Sequence, residues 1–216
     1  MKLSAVIFDL NGTVLSDEEA WGKAFAKVLE TFGIDEKSKY PHIGGIGIEE
    51  NWPLFIDKYK IKTEKTSGEL AFLTKNEYFK LIPEIILKPG FLDFAESLKE
   101  SDVKIALATS STWDSVEKVL DTFNITDFFD CITTGEEVSL KKPDPRIFDI
   151  TVDKLQADPA FCLVFEDSQA GISAATSVGM KVVALFRDEL HKKTLIGADE
   201  YIHDFTEIAP VLIGKL

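Results

Sequence analysis

The chain has 216 residues, of which 45% are hydrophobic, so it can bury a sizeable core in one α/β domain or in a core plus a smaller insert. Its 24 Lys and Arg residues against 37 Asp and Glu residues give a formal net charge of −13, which repels nucleic acids and anionic membranes. No apolar stretch approaches the ~20 residues of a membrane span. We therefore expect a globular, cytoplasmic protein whose partner is neither a nucleic acid nor a membrane.

The first predicted element is a buried parallel strand near the N-terminus. Residues 3–8 are mostly apolar, and the run ends in the polar sequence Asp9-Leu10-Asn11-Gly12-Thr13. The run is too short for a helix of normal length, which favours a strand. Asp9 then stands at the carboxyl end of that strand, where open α/β sheets bind their ligands. Gly12 permits a sharp turn there, or a close approach of its backbone to a ligand.

The next seventy residues have helical periodicity. Apolar residues recur on one face over residues 16–33, and helical patterns follow at 49–59 and 67–82, after a Gly-rich loop at 40–47. No strand pattern interrupts these three predicted helices. We therefore predict that residues 15–88 form a helical cap over the crevice, and that residues 1–14 and 89–216 form the core.

Alternating helices and strands return after residue 90. The pattern predicts an α/β fold with a parallel sheet. The expected strands are 103–108, 131–134, 161–165, 181–186 and a weak edge strand at 201–202. The expected helices are 91–100, one that begins after residue 112, one that begins after residue 144, 169–178 and a closing helix near 206–213.

Polar residues follow two of these strands, and a lysine lies in the loop after a third. Thr109 and Ser110 begin a turn that precedes a helix, a position where hydroxyl and amide donors bind anions. Lys142 precedes another helix, and by itself it is typical of a solvated side chain. Glu166 and Asp167 are adjacent carboxylates at a strand end, where they repel each other unless a cation such as Mg²⁺ binds them.

Because the carboxyl ends of parallel strands share one edge, these residues and Asp9 should meet in one crevice. A carboxylate nucleophile at Asp9, donors at Thr109, a cation at Lys142 and carboxylates for Mg²⁺ are the parts that phosphoryl transfer requires.

These motifs together resemble those of the haloacid dehalogenase (HAD) superfamily. The resemblance spans the whole chain, and the combination is specific although each motif alone is weak. It implies a Rossmann-like parallel sheet core with a helical cap inserted after the first strand, as in the subgroup of β-phosphoglucomutases and small-metabolite phosphatases. The motifs are Phe8-Asp9-Leu10-Asn11-Gly12-Thr13, Ala108-Thr109-Ser110-Ser111, Lys142-Pro143-Asp144-Pro145 and Phe165-Glu166-Asp167-Ser168-Gln169-Ala170-Gly171-Ile172.

The resemblance implies a Mg²⁺-dependent phosphohydrolase of a small phosphorylated metabolite. Asp9 would attack phosphorus and form an aspartyl phosphate. The phosphoryl group would be held by Thr109, Ser110, Lys142 and Gly12. Mg²⁺ would be bound by Asp9, Asp167 and the main-chain carbonyl of Asn11, with Glu166 nearby. We expect a monomer or a weak homodimer.

The departure from the resemblance is Asn11. Phosphatases of the family carry a second aspartate there, which transfers protons, and an asparagine cannot do so. General acid–base catalysis contributes about 10²- to 10⁴-fold, so the enzyme would be slow or trapped as a phosphoenzyme. Asp17, Glu18 and Glu19 are close enough in sequence to be considered as substitutes. Whether Asn11 is native or was introduced stays open.

Two rival functions stay open as well. One is a phosphate-ligand binding protein without turnover, for which Asn11 is the supporting residue, and the other is a β-phosphoglucomutase-like phosphotransferase. The second is weakened because Gly44, Ile48 and Trp21 occupy the positions where such mutases carry basic cap residues and a histidine. That composition favours a substrate with one phosphate. The cap residues considered for substrate contact are Trp21, His42, Gly45 and Trp52.

Overall fold

The structure, a computed structural model, describes residues 3–208. Within that range no helix has both the length and the apolar composition needed to cross a bilayer. In chain order its elements are β1 (Ala5–Phe8), β2 (Leu15–Ser16), α1 (Glu18–Glu30), α2 (Ile48–Tyr59), α3 (Ser67–Leu81), β3 (Ile86–Leu87), α4 (Phe91–Glu100), β4 (Lys104–Ala108), α5 (Trp113–Phe123), β5 (Cys131–Thr133), α6 (Arg146–Leu155), β6 (Cys162–Glu166), α7 (Gln169–Ser177), β7 (Lys181–Leu185), α8 (Glu189–Lys192) and β8 (Glu200–Ile202).

A six-stranded parallel sheet forms the centre of the molecule, with the strand order β5-β4-β1-β6-β7-β8. β1 pairs with β4 on one side and with β6 on the other. β4 and β5 therefore lie on one side of β1, and the chain then crosses to the other side of β1, where it forms β6, β7 and β8. Such a reversal of strand order is where open α/β sheets bind ligands. The predicted α/β, Rossmann-like fold is confirmed.

The three helices α1–α3, which we call the cap helices, are inserted between β2 and β3. These two strands pair antiparallel, Leu15 with Leu87 and Ser16 with Ile86, where the chain leaves and re-enters the sheet region. Two-residue strands have no periodicity, so the sequence did not reveal them. The division into a core and a cap at residues 15–88 stays a prediction. Of the closing helix expected at 206–213, residues 209–213 lie outside the described range, and Phe205–Glu207 form a 3₁₀ turn.

A cluster of phenylalanines supports the strand that carries Asp9. The ring of Phe8 stacks on Phe165 at a centroid distance of 5.2 Å and meets Phe91 edge-on at 5.4 Å. Phe94 and Phe205 complete the cluster, and all five rings are buried. Because Phe8 precedes Asp9 directly, this packing fixes the start of the loop that carries the predicted nucleophile.

We expect Phe8→Ala to lower the free energy of unfolding by about 3–5 kcal/mol, because it removes the ring on which the cluster is centred. Urea denaturation measures the effect. Leu190→Ala is the control, since that side chain is 76% exposed and its removal should change stability by less than about 0.5 kcal/mol. Equal losses in the two variants would contradict the packing argument.

Candidate active site

Three neighbouring strand ends bring the predicted acidic and hydroxyl residues together. Asp9 follows β1, Thr109 follows β4, and Glu166 ends β6 with Asp167 directly after it. The structure thus groups the residues that the sequence placed at one sheet edge. All four are buried, so the groups meet beneath the surface at the floor of a crevice.

Lys142 reaches this group from the loop before α6. Its Nζ donates to Asp9 Oδ1 at 2.6 Å, to the carbonyl of Ala108 at 2.9 Å and to Glu166 Oε1. An ammonium group has three donors, so all of them are engaged. Burial alone would lower the pKa of Lys142, but the carboxylates of Asp9 and Glu166 outweigh burial and raise that pKa. The side chain therefore stays charged and holds two carboxylates.

The carboxylates of Asp9, Glu166 and Asp167 each offer an oxygen within 4.8 Å of the others. Both oxygens of Glu166 already accept hydrogen bonds, from Lys142 and from the amide and hydroxyl of Ser168 at 2.9 Å each. Asp167 has no hydrogen-bond donor among the described side chains. Burial, followed by the charges of Glu18, Glu166 and Asp9, raises the pKa of Asp167 well above its ordinary value.

This surplus of buried negative charge fits a hard divalent cation, which prefers oxygen ligands. One oxygen of Asp9 and the carboxylate of Asp167 are available as metal ligands, whereas both oxygens of Glu166 already accept hydrogen bonds. Gly12 leaves room for the cluster, because a Cβ there would collide with the carboxylate of Asp167.

The side chain of Asn11 lies at the edge of the crevice between two partners. Its Nδ2 donates to Asp17 Oδ2 at 2.6 Å, and its Oδ1 accepts from the Ser111 hydroxyl at 2.7 Å. Asp17 also accepts hydrogen bonds from the Gly12 amide at 2.9 Å and from the Tyr78 hydroxyl at 2.6 Å. The amide of Gly12 is therefore directed at Asp17, and the assignment of Gly12 to the phosphoryl group stays a prediction.

A cavity of about 240 Å³ opens above Asp9, between the sheet edge and the cap helices. Asn11, Thr109, Ser110 and Asp167 line it from below. Its upper wall contains the apolar side chains of Trp21, Phe25, Ile43, Ile48 and Phe72, together with the charged residues Glu18, Glu49, Glu50 and Lys75. A cavity of this size and composition suits a small ligand that is anchored at its polar end.

The cap residues considered for substrate contact divide into two groups. Trp21 lines the cavity and stacks on Tyr78 at a centroid distance of 3.7 Å. His42 and Gly45 line it too, and the Gly45 carbonyl accepts a hydrogen bond from the Ser110 hydroxyl at 2.7 Å. Trp52, by contrast, is fully buried and donates its indole N–H to Thr74 at 3.1 Å, so it does not reach the cavity. Its position on α2 places it in the core of the cap helices.

His42 is neutral in this environment. Burial, together with the nearby charge of Arg187, lowers the pKa of His42 to about 4. The ring packs on Phe25 at a centroid distance of 5.3 Å. Near neutral pH it therefore offers a hydrogen-bonding group to a ligand without adding positive charge.

Further charged residues lie in or near the wall of the cavity. Glu18 lines the cavity and accepts a hydrogen bond from Arg187 Nη1 at 3.1 Å. Arg187 packs over the ring of Tyr40, and its Nε lies 4.0 Å from Asp188 Oδ2. Lys75 of α3 lines the cavity and pairs with Asp114 at 2.6 Å. No sequence pattern distinguishes these residues from ordinary surface charges.

The chain is similar to known proteins along most of its length. The chain is 31% identical over 221 residues to the β-phosphoglucomutase of Bacillus subtilis strain 168, covering 99% of this chain and 95% of that protein. It is 29% identical over 182 residues, 83% of each chain, to a phosphorylated carbohydrates phosphatase of Thermotoga maritima. The crystal structure of CbbY from Rhodobacter sphaeroides in complex with phosphate has a TM-score of 0.85 and 25% identity, with 99% of this chain and 100% of that chain covered.

The match to a known family extends over most of the chain. Residues 6–185 match the family of haloacid dehalogenase-like hydrolases, a range that runs from β1 to the end of β7 and includes Asp9, Thr109, Lys142 and Asp167. Relatives within this family are named phosphatases. The chain is therefore a member of the haloacid dehalogenase-like hydrolase family.

Proposed function

We propose that the protein is a Mg²⁺-dependent phosphohydrolase that acts on a small phosphorylated metabolite through an aspartyl phosphate on Asp9. The observation that carries this proposal is the position of the Asp9 carboxylate. It lies at the floor of the cavity, held at Oδ1 by Lys142 and next to the free carboxylate of Asp167. This arrangement supports a nucleophile beside a cation site.

The reaction would proceed in two displacements at phosphorus. The carboxylate of Asp9 attacks phosphorus and the bond to the leaving group breaks, and water then attacks the aspartyl phosphate and restores the carboxylate. Lys142 holds Asp9 in one orientation throughout. Thr109 Oγ1 accepts a hydrogen bond from the Ser111 amide, so its own hydrogen is available for a phosphoryl oxygen. Bound Mg²⁺ would neutralise the carboxylates and polarise the phosphoryl group.

A substrate with a single phosphate is favoured by the cations around the cavity. Besides the buried Lys142, the ammonium groups on the cavity wall within the described residues are those of Lys75 and Lys141. Lys75 pairs with Asp114, and Lys141 donates to the carbonyl of Gly135. A second phosphate would therefore compete with existing partners. The name of the Thermotoga maritima relative supports a phosphorylated carbohydrate as the class of substrate.

Two alternatives have a specific observation in their favour. The similarity to a β-phosphoglucomutase favours transfer of the phosphoryl group to a second hydroxyl instead of water. Asn11, which cannot transfer protons, favours binding of a phosphorylated ligand without turnover. The products separate these functions, since only a phosphohydrolase releases inorganic phosphate over many turnovers.

We expect 4-nitrophenyl phosphate to yield nitrophenol and inorganic phosphate when Mg²⁺ is present, and neither product in EDTA. If hydrolysis of the aspartyl phosphate is slower than its formation, phosphate will also be found covalently bound to the protein. Time-resolved release of both products, with acid quenching to detect bound phosphate, measures the two steps. Asp9→Asn should reduce both steps to background, because it removes the nucleophile. Asp153→Asn removes an exposed carboxylate of α6 and should leave the rates unchanged. Bound phosphate in Asp9→Asn, or full activity in EDTA, would refute the mechanism.

We expect the contribution of Asp9 to the stability of the metal-free protein to fall as the pH rises from about 4 to about 7. Burial and the charge of Glu166 outweigh Lys142 and raise the pKa of Asp9 to about 7, above its value in an unfolded chain. The folded state then binds protons more tightly than the unfolded state in this interval, so its stability falls with pH. Thermal unfolding of the wild type and of Asp9→Asn in EDTA at several pH values isolates this contribution, because the lowered pKa of His42 acts in the opposite direction.

Adding Mg²⁺ at pH 7 should reverse that loss. At 100 times its dissociation constant a ligand stabilises by about 2.7 kcal/mol, which corresponds to a rise in Tm of about 5–10 °C for a chain of this length. Asp167→Asn should raise Tm in EDTA, because it relieves repulsion, and should lose most of the response to Mg²⁺. A variant that keeps the full response would exclude Asp167 as a metal ligand.

A further inference from the structure

The side chain of Asn51 binds the backbone of the Gly-rich loop that precedes α2. Asn51 lies in the first turn of α2 and is 3% exposed. Its Oδ1 accepts from the amide of Ile43 at 2.8 Å, and its Nδ2 donates to the carbonyls of Ile43 and Gly47 at 3.0 and 2.7 Å. Both hydrogens on Nδ2 are therefore used. The amide has no hydrogen left for a ligand, and it holds the two ends of the segment 43–47 together.

The segment 43–47, which we call the cap loop, is rich in glycine. Three of its five residues are glycines, and Gly45 and Gly47 have φ angles of +81° and +99°. Glycine has more conformational freedom to lose on folding than any other residue. The side chain of Ile43 is 54% exposed, so its packing does little to fix the loop. Because an unrestrained loop of this composition samples many conformations, the hydrogen bonds from Asn51 select one of them.

The cap loop lies between the core and the cavity. On the core side, the carbonyl of Gly45 accepts from the Ser110 hydroxyl at 2.7 Å, and a Cβ at Gly45 would collide with the side chain of Ser168. On the other side, Gly44, Gly45 and Gly47 line the cavity. Since glycine has no side chain, the atoms that these residues present to the cavity belong to the main chain. Peptide N–H and C=O groups are strong, neutral hydrogen-bonding groups.

We propose that Asn51 is a positioning residue for the carbohydrate part of the substrate, because it holds the cap loop so that the peptide groups of its glycines can bind the substrate's hydroxyl groups. The inference rests on the proposed phosphohydrolase function and specifies how its substrate class is recognised. A hydroxyl both donates and accepts, so it matches a main chain that offers both kinds of group. The phosphate lies at the cavity floor beside Asp9, and the cap loop acts on the part of the substrate that extends away from it.

Two substitutions of Asn51 release the cap loop in different ways. Asn51→Asp keeps the shape of the side chain but replaces the nitrogen donor with an oxygen, which would face the carbonyls of Ile43 and Gly47. Asn51→Ala removes all of the hydrogen bonds from the side chain to the loop. Leu54→Ala is the matched control, because Leu54 lies on the same helix and is 47% exposed. Agreement between the two variants excludes an effect of the new charge alone.

The test compares substrates that reach the cap loop with one that does not. Steady-state kinetics with Mg²⁺ use glucose 1-phosphate, glucose 6-phosphate and sorbitol 6-phosphate, and acetyl phosphate as the short substrate without hydroxyl groups. We expect both Asn51 variants to lower kcat/KM about 10-fold or more for the sugar phosphate that the wild type turns over fastest. For acetyl phosphate kcat/KM should stay within about twofold, since only interactions with the carbohydrate are lost. Leu54→Ala should change neither value.

Hydrogen–deuterium exchange tests the hold on the cap loop without any activity. The amide of Ile43 donates to Asn51 Oδ1, so its exchange should become faster in Asn51→Ala. Peptides that cover residues 43–47, followed by mass spectrometry, measure the change, and Leu54→Ala should exchange like the wild type. Unchanged exchange in Asn51→Ala would overturn the role of Asn51 as a positioning residue.

Equal losses on sugar phosphates and on acetyl phosphate would overturn the proposal, because they would show that Asn51 supports the whole site. Turnover of acetyl phosphate but of no sugar phosphate would overturn it too, and would leave the phosphohydrolase function standing. If no substrate is turned over, the proposed function fails and calorimetry decides. Weaker binding of the sugar phosphates to Asn51→Asp, with unchanged binding of inorganic phosphate, would then support the role of Asn51. Unchanged binding of both, or no binding of sugar phosphates to the wild type, would overturn it.

Discussion

Repulsion among buried carboxylates is the constraint on which this site depends. β1 lies between β4 and β6, and this order places Asp9 beside Glu166 and Asp167, all three of which are buried. One ammonium group, that of Lys142, is shared between two of the three acids. Burying this much like charge is costly unless it is compensated. The arrangement that weakens the metal-free fold is therefore the one that a bound cation would stabilise.

Much of the fold followed from periodicity in the sequence, whereas the directions of individual side chains did not. Apolar runs and helical stripes located the six strands of the main sheet and the three cap helices, because these patterns reflect which face is buried. Strand ends then grouped Asp9, Thr109, Glu166 and Asp167 correctly. Lys142 is predicted to hold the phosphoryl group, and its ammonium group lies between two carboxylates, a contact that the motif alone does not specify. A motif specifies the loop on which a residue lies, but the hydrogen-bond partners available after folding decide where its charged end points.

The cap residues show the same limit. Trp21 and Trp52 both occupy apolar positions of helical patterns, and nothing local separates them. Only the packing of α1 against α3 brings Trp21 to the cavity wall, while α2 turns Trp52 inward to Thr74. Asp17 and Glu18 are adjacent in sequence in a similar way, but the first is buried behind Asn11 and the second faces the cavity.

The hydrogen bond from Tyr78 to Asp17 connects the position of the cap helix α3 with the orientation of the Asn11 side chain. Tyr78 belongs to α3, one of the helices that enclose the cavity, and Asp17 holds the residue beside the nucleophile. Displacement of α3 therefore removes a donor from Asp17 and loosens its hold on Asn11. Enclosure of a ligand by α3 would therefore be coupled to the orientation of Asn11, so that a ligand too large to be enclosed would also meet a displaced Asn11 side chain.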